Sequence, residues 1–150
     1  MKIEKEGYVA FDYILSNSTT FPDLDNKMGE AYAAMRREFR GIIFDNNGQL
    51  IRRPFHKFFN YSERVETTFN LELSDWVVMD KLDGSMVAPF IVGERLIWGT
   101  KVGETTFSKD VSDFIASQSI EYDEFARWTI TQNITPIFEW ISPNNRIVLK

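Results

Sequence analysis

Cysteine is absent from this chain of 150 residues, which excludes disulfides and thiolate metal sites and suits a reducing compartment. With a single histidine, His56, a histidine-rich zinc cage is excluded as well. No apolar run approaches the roughly twenty residues that a membrane-spanning helix requires. The longest, over residues 86–92, contains a proline. The opening MKIEKEGY has no apolar centre of the signal-peptide kind. Together these absences lead us to expect a cytoplasmic protein with no membrane partner.

Excess positive charge is also lacking, since the net charge is -5, which argues at first against a nucleic-acid partner. The distribution changes that argument. Residues 36–64 hold seven basic side chains (Arg36, Arg37, Arg40, Arg52, Arg53, Lys57, Arg64) against three acids (Glu38, Asp45, Glu63). A basic segment on an acidic chain marks a place for an anion such as a phosphate group, although a solvated face with scattered arginines gives the same count. What the chain has in quantity is apolar and aromatic residues, 43% and 15%, enough for a folded core. Repeats, low-complexity stretches and linkers are missing, so residues 1–150 are read as one domain.

Residues 8–15 are apolar with partial alternation and predict a strand, followed by a Ser/Asn/Thr/Pro loop over 16–25. Residues 29–39 (GEAYAAMRREF) predict a short helix. A hairpin follows, with strands at 41–45 and 49–53 around Asn46-Asn47-Gly48. Apolar runs at 76–79, 86–92 and 95–100 predict an antiparallel meander. Residues 108–119 predict a helix capped by Ser108, and 122–132 a second with Phe125, Trp128 and Thr129 on one face. Two last strands are expected at 136–142 and 146–149, around Pro143-Asn144-Asn145. The class is α+β, antiparallel β-sheets with packed helices.

The segment Lys81-Leu82-Asp83-Gly84-Ser85 interrupts the apolar runs. A lysine between two apolar strands is expected to be partly withdrawn from water. Desolvation and nearby cations lower an amine's pKa and free its lone pair for attack. Asp83 is close enough in sequence to orient that amine or a cation. Gly84 permits close approach of backbone to a ligand, and Ser85 offers a hydroxyl to a phosphate or to the turn. On local chemistry alone, a plain Asp-Gly turn between strands is the stronger reading. Glu139 stands inside an apolar run (Ile137, Phe138, Trp140, Ile141), where a carboxylate is costly unless partnered.

Read with its neighbours, Lys-x-Asp-Gly-Ser resembles the nucleotidyl-transfer motif of covalent nucleotidyltransferases. Arg40-Gly41-Ile42-Ile43-Phe44, Lys57-Phe58-Phe59-Asn60, Lys101 and Phe138-Glu139-Trp140-Ile141-Ser142-Pro143-Asn144-Asn145-Arg146-Ile147-Val148 narrow the resemblance to the phage-type RNA ligase 1 family, its tRNA-repair branch. It covers the chain from about residue 8 to the end. The resemblance implies an ATP-grasp-like nucleotidyltransferase (DNA/RNA ligase) fold and an ATP-dependent RNA ligase using ATP and Mg2+. It also implies RNA as partner, including broken tRNA, and the host-cell cytoplasm if the gene is phage-borne.

The same resemblance makes Lys81 the nucleophile that takes AMP from ATP. It assigns Arg40, Lys57, Phe59, Asp83, Gly84, Lys101 and Glu139 to the ATP/AMP site, with Glu139 meeting the ribose. Metal ligands are not assigned. The family's later Glu-Gly and Lys-x-Lys motifs and its C-terminal domain have no counterpart here. The expectation is therefore a fold incomplete at the C-terminus and weak or no activity alone. Three explanations stand open: a fragment, a shortened gene, or a site completed by a separate chain. Alternative readings are a non-catalytic nucleotide- or RNA-binding module derived from a ligase, or another covalent nucleotidyltransferase.

Overall fold

Charge hides the first strand of the fold from a hydropathy reading. β1 (Lys2–Lys5) has only Ile3 half-buried, with Lys2, Glu4 and Lys5 exposed. That is the pattern of a charged edge strand, where side-chain charge discourages pairing with a further chain. The structure, a computed structural model, describes residues 1–69, 72, 77–143 and 145. β1 pairs antiparallel with β2 (Tyr8–Phe11), which pairs with β3 (Ile42–Asp45) and that with β4 (Leu50–Arg52). The β3–β4 turn is built as its Asn-Asn-Gly sequence predicts. Asp45 Oδ1 accepts from the amides of Asn47 and Gln49 at 2.9 and 2.8 Å.

The second sheet has the order β6-β5-β7, from β5 (Ser85–Val92), β6 (Arg95–Gly99) and β7 (Phe138–Trp140). β5 is apolar along most of its length because both its faces are covered. Toward the first sheet, Phe90 and Ile97 pack with Tyr8, Ala10 and Ile43. Tyr8 and Phe90 meet edge to face at 5.0 Å. On the opposite face, Val87 and Trp98 pack with Val111 of α2 (Thr106–Ser117) and Ala126 of α3 (Tyr122–Thr131). Alternate residues of β5 and β6 thus serve different layers, as strand geometry demands. Trp98 Nε1 donates to Asp123 Oδ1 at 2.7 Å, fixing the start of α3 to the sheet.

Several expectations are corrected. The strand expected over 8–15 ends at Phe11, because Asp12 turns inward and is buried while Ile14 and Leu15 face solvent. α1 (Glu30–Glu38) matches its prediction within a residue at each end. The cap of α2 is Thr105, whose hydroxyl accepts from the Ser108 amide; Ser108 is its reciprocal partner three residues on. The packed face of α3 carries Ala126 and Thr129, and Phe125 and Trp128 stand largely in solvent. Residues 77–79 form no strand and are exposed, while Trp76 lies outside the described residues. The strand expected at 146–149 also lies outside them. Among the described residues no helix is long and apolar enough to cross a membrane.

Candidate functional site

The Lys81–Ser85 motif runs into β5, and β7 binds it from the side. Ser85, Met86 and Val87 pair with Trp140, Glu139 and Phe138. The Gly84 amide donates to Glu139 Oε1 at 3.1 Å. Ser85 Oγ is 3.0 Å from Asn145 Oδ1, and Asn145 Nδ2 donates to the Trp140 carbonyl at 2.6 Å. Two segments more than fifty residues apart in sequence are thereby locked together. Gly84 is required by this approach: a Cβ there would stand 2.1 Å from the Trp140 carbonyl oxygen. The close contact expected of Gly84 is therefore with β7 backbone.

Glu139 departs from expectation in its burial. β7 alternates, so Phe138 and Trp140 turn partly inward and Glu139 faces solvent. The carboxylate avoids the cost of burial, spends one oxygen on Gly84 and keeps the other accessible. Lys81 departs too. It is exposed, not withdrawn between strands, and no hydrogen bond or ion pair with a described residue holds its amine. The physical reason is that the residues before it, 77–80, form no strand to cover it. Asp83, two residues on, is half-buried.

A second group forms around Lys101, just past β6. Its ammonium lies 4.8 Å from the Tyr13 ring centroid and 3.9 Å from Asp12 Oδ2. Gly41, in the left-handed region at φ +88°, lies against it; an added Cβ would meet Lys101 Cα at 3.0 Å. Asp12 is 4% exposed, and its Oδ1 has no hydrogen-bond partner among the described residues. Burial pushes its carboxyl above the ordinary value, and Lys101, the Tyr13 amide, Arg40 and the N-terminus oppose that rise.

Arg52 ties these segments together. It is 1% exposed, and its guanidinium donates to the carbonyls of Gly41, Ala88, Gly99, Thr100 and Lys101 at 2.8–3.3 Å. It also lies 4.9 Å from the Phe90 ring centroid. Burial lowers it to about 9, which leaves it charged at neutral pH. The turn after Arg40, the end of β6 and the middle of β5 thus share one buried cation. The β5–β6 ladder ends at the pair Ala88 and Gly99, and Lys101 follows in the turn closed by Thr100 and Gly103. On the other side of β5, Met86 pairs with Glu139. Lys101 and Glu139 accordingly lie at the same end of the second sheet, either side of β5.

The third group is the Lys57-Phe59 element. Phe59 is half-buried, edge to face with Phe21 at 6.5 Å. Arg37, Lys57 and Arg64 approach its ring at 4.9, 4.9 and 4.6 Å. Phe58, its neighbour, is exposed and carries Arg40 at 4.8 Å. Of the seven basic residues of the segment, Arg37, Arg53 and Arg64 pair with Glu66, Glu38 and Asp23. Arg52 is committed to carbonyls, and Arg36 donates to the Thr20 carbonyl at 3.1 Å. Arg40 donates to the Phe55 carbonyl at 3.4 Å, and Arg36, Arg40 and Lys57 form no salt bridge with a carboxylate among the described residues.

Asp12, Arg52 and Asn145 were missed by the sequence reading. Asp12 follows an apolar strand and Arg52 sits in the basic segment, so each resembles its surface-exposed neighbours in type. Asn145 had a detectable signal, its place in the motif from Phe138 to Val148, but that motif gave it no role in holding Ser85.

A family model described as RNA ligase matches residues 38–150. A "Putative RNA ligase" of Thermovibrio ammonificans is 32% identical over 117 residues, 77% of this chain and 31% of that protein. RNA ligase 1 of Bacteriophage TS2126 is 33% identical over 72 residues, 43% of this chain and 18% of that protein. The chain therefore spans less than a third of the length of these relatives. The matched region takes in Arg40, Lys57, Lys81, Lys101 and Glu139, and leaves Asp12, Tyr13, Phe21 and Arg37 outside it: the chain belongs to the RNA ligase family.

Proposed function

We propose that this chain carries the lysine-adenylylation step of an ATP-dependent RNA ligase, on a nucleotidyltransferase fold, in the cytoplasm. The observation that supports it most is the clamping of Gly84 and Ser85 onto Glu139 and Asn145. This gives the Lys81 motif a fixed base beside an accessible carboxylate.

In this reading the neutral Lys81 amine attacks the α-phosphorus of ATP. An N–P bond forms, the bridging P–O bond to the β-phosphate breaks, pyrophosphate leaves, and the amine's proton goes to solvent. AMP remains on Lys81 as a phosphoramide. An RNA 5′-phosphate then takes the AMP and frees the lysine. Finally a 3′-hydroxyl attacks that 5′-phosphate, expelling AMP and sealing the strand. Phosphoryl transfer depends on positioning and on cations that meet developing charge. Arg40, Lys57 and Lys101 supply those cations. Glu139 accepts from ribose hydroxyls with its outward oxygen, and Asp83 orients the amine or a cation. Phe59 holds Lys57 through its ring.

Among the described residues no three metal-ligating side chains cluster. Magnesium, as the resemblance implies, would accompany the triphosphate. Such an ion would neutralise phosphate charge when bound. Because the chain spans less than a third of its relatives, the transfer to RNA and the sealing step are proposed for the complete ligase, with broken tRNA among its substrates. The exposure of Lys81 favours a second reading, a nucleotide- or RNA-binding module that keeps the pocket without the chemistry.

The test is to incubate the chain and Lys81→Ala with α-labelled ATP and magnesium, denature, and count retained label. Weak label on the parent chain and none on the variant is expected. Equal label on both would remove Lys81 as nucleophile, and no label on the parent chain would favour the binding module.

A further inference from the structure

Residues 53–61, Arg-Pro-Phe-His-Lys-Phe-Phe-Asn-Tyr, interleave aromatic rings with cations. The structure sorts them in an unusual way. Lys57 and Phe59 turn inward, where Phe59 is gripped by Arg37, Lys57 and Arg64. Phe55, Phe58 and Tyr61 are left in solvent, 64%, 56% and 54% exposed. Residues 53–60 belong to no helix or strand, so backbone pairing does not explain this exposure. Their hold is from behind: the Lys57 amide donates to the Arg37 carbonyl at 2.7 Å, and Pro54 is buried.

Other apolar residues are exposed too, and the comparison identifies the occupant. Val77, Val78 and Met79 form a bare aliphatic stretch, and Phe125 and Trp128 stand on α3 among the acids Glu121 and Glu124. At the 53–61 surface, by contrast, Arg40 lies 4.8 Å from the Phe58 ring with no carboxylate partner among the described residues. His56 is exposed between Phe55 and Lys57. Of the nearby acids, Glu38 is paired with Arg53 at 2.7 and 2.9 Å, while Glu63 accepts from Asn60 at 2.8 and 3.0 Å and keeps its charge. The surface therefore offers flat rings together with the guanidinium of Arg40. Bases stack on such rings whatever their sequence, while cations track the backbone.

We infer that Phe55 and Phe58, flanked by Arg40 and His56, form a stacking platform for single-stranded RNA. It borders the nucleotide site through Arg40, whose neighbour Gly41 packs on Lys101. An RNA end stacked there brings its phosphate toward Arg40. The inference rests on the RNA ligase reading for its substrate, but it concerns binding and does not require Lys81 chemistry.

The test is fluorescence anisotropy with a labelled, 5′-phosphorylated oligouridylate of roughly twelve nucleotides, within the usual site size for single-strand binders. The variants are Phe55→Ala, Phe58→Leu, Phe55→Trp and, on the other apolar surface, Trp128→Ala. Circular dichroism checks that each is folded. Phe55→Ala and Phe58→Leu are expected to weaken binding by about tenfold each. Phe55→Trp should restore it, Trp128→Ala should leave it unchanged, and added salt should weaken it throughout. Equal affinity in all variants, loss in Trp128→Ala as well, or no binding by the parent chain would overturn the platform. So would a fall in self-association of Phe55→Ala without any effect on RNA, which would assign the patch to a second copy. Lys81 labelling is measured on the parent chain alongside. RNA binding without any Lys81 label would defeat the adenylylation reading and leave the platform standing. Intact label with no RNA binding would do the reverse.

Discussion

Arg52 and Asp12 are single buried charges with opposite arrangements, and their variants should behave differently. Arg52 spends its donors on five carbonyls, so Arg52→Met leaves those oxygens without their cation and loses the contact with Phe90. A destabilisation on the order of 3 kcal/mol is expected from unsatisfied buried acceptors, read as a lower urea midpoint. A change within error would mean that the sheets hold these segments without the guanidinium. Asp12 has a raised carboxyl, so the folded chain binds its proton more tightly than the unfolded chain does. Stability from this group is therefore greatest at low pH and is lost as pH rises through the raised value. Asp12→Asn removes the titration. The stability of the parent chain relative to this variant should fall as pH rises above the ordinary carboxyl value of about 4. A flat or rising difference would show that the Lys101 attraction outweighs burial.

At the scale of elements, the decisive contact is β5 against β7, a ladder of three residue pairs. Gly84 sits where the strands are closest, and a methyl group 2.1 Å from the Trp140 oxygen forces them apart. Gly84→Ala should cost on the order of 1–3 kcal/mol, the range for overpacking. It should also break the bond from the Gly84 amide to Glu139. If the clamp positions the Lys81 motif, ATP labelling should drop by about tenfold at temperatures where the variant is still folded. Full labelling by a destabilised variant would separate the clamp from the chemistry. Helices α2 and α3 contribute differently. They cover the far face of the second sheet through Val111 and Ala126, and so support β5 without touching the motif.

On the scale of the whole molecule, three layers meet at one sheet. The second sheet takes the first on one face and the helices on the other, so disturbances on either side reach β5. Charge is divided as well. The chain is acidic overall, yet Arg40 and Lys57 form no salt bridge with a described carboxylate. On an acidic molecule such a region favours one orientation of approach for an anionic partner.

Much of this was legible in residues alone. Local rules gave the β3–β4 hairpin from Asn-Asn-Gly, the β5–β6 hairpin from two apolar runs around Gly93, and all three helices within a few residues. Resemblance to the RNA ligase family, carried by whole motifs, pointed to Lys81, Arg40, Lys57, Lys101 and Glu139. β1 was not legible, because a charged edge strand has no apolar period. Which side of α3 packs was not legible, because Phe125 and Trp128 have helical spacing whichever way the helix faces. Sequence by itself determined the class, the hairpins and the residue types of the site, since these follow from short-range propensity and pattern. Only the tertiary structure decided that Arg52 and Asp12 are buried, that Glu139 and Lys81 face solvent, and that Gly84 answers to β7. Burial and pairing across fifty residues are properties of packing, which no local pattern encodes.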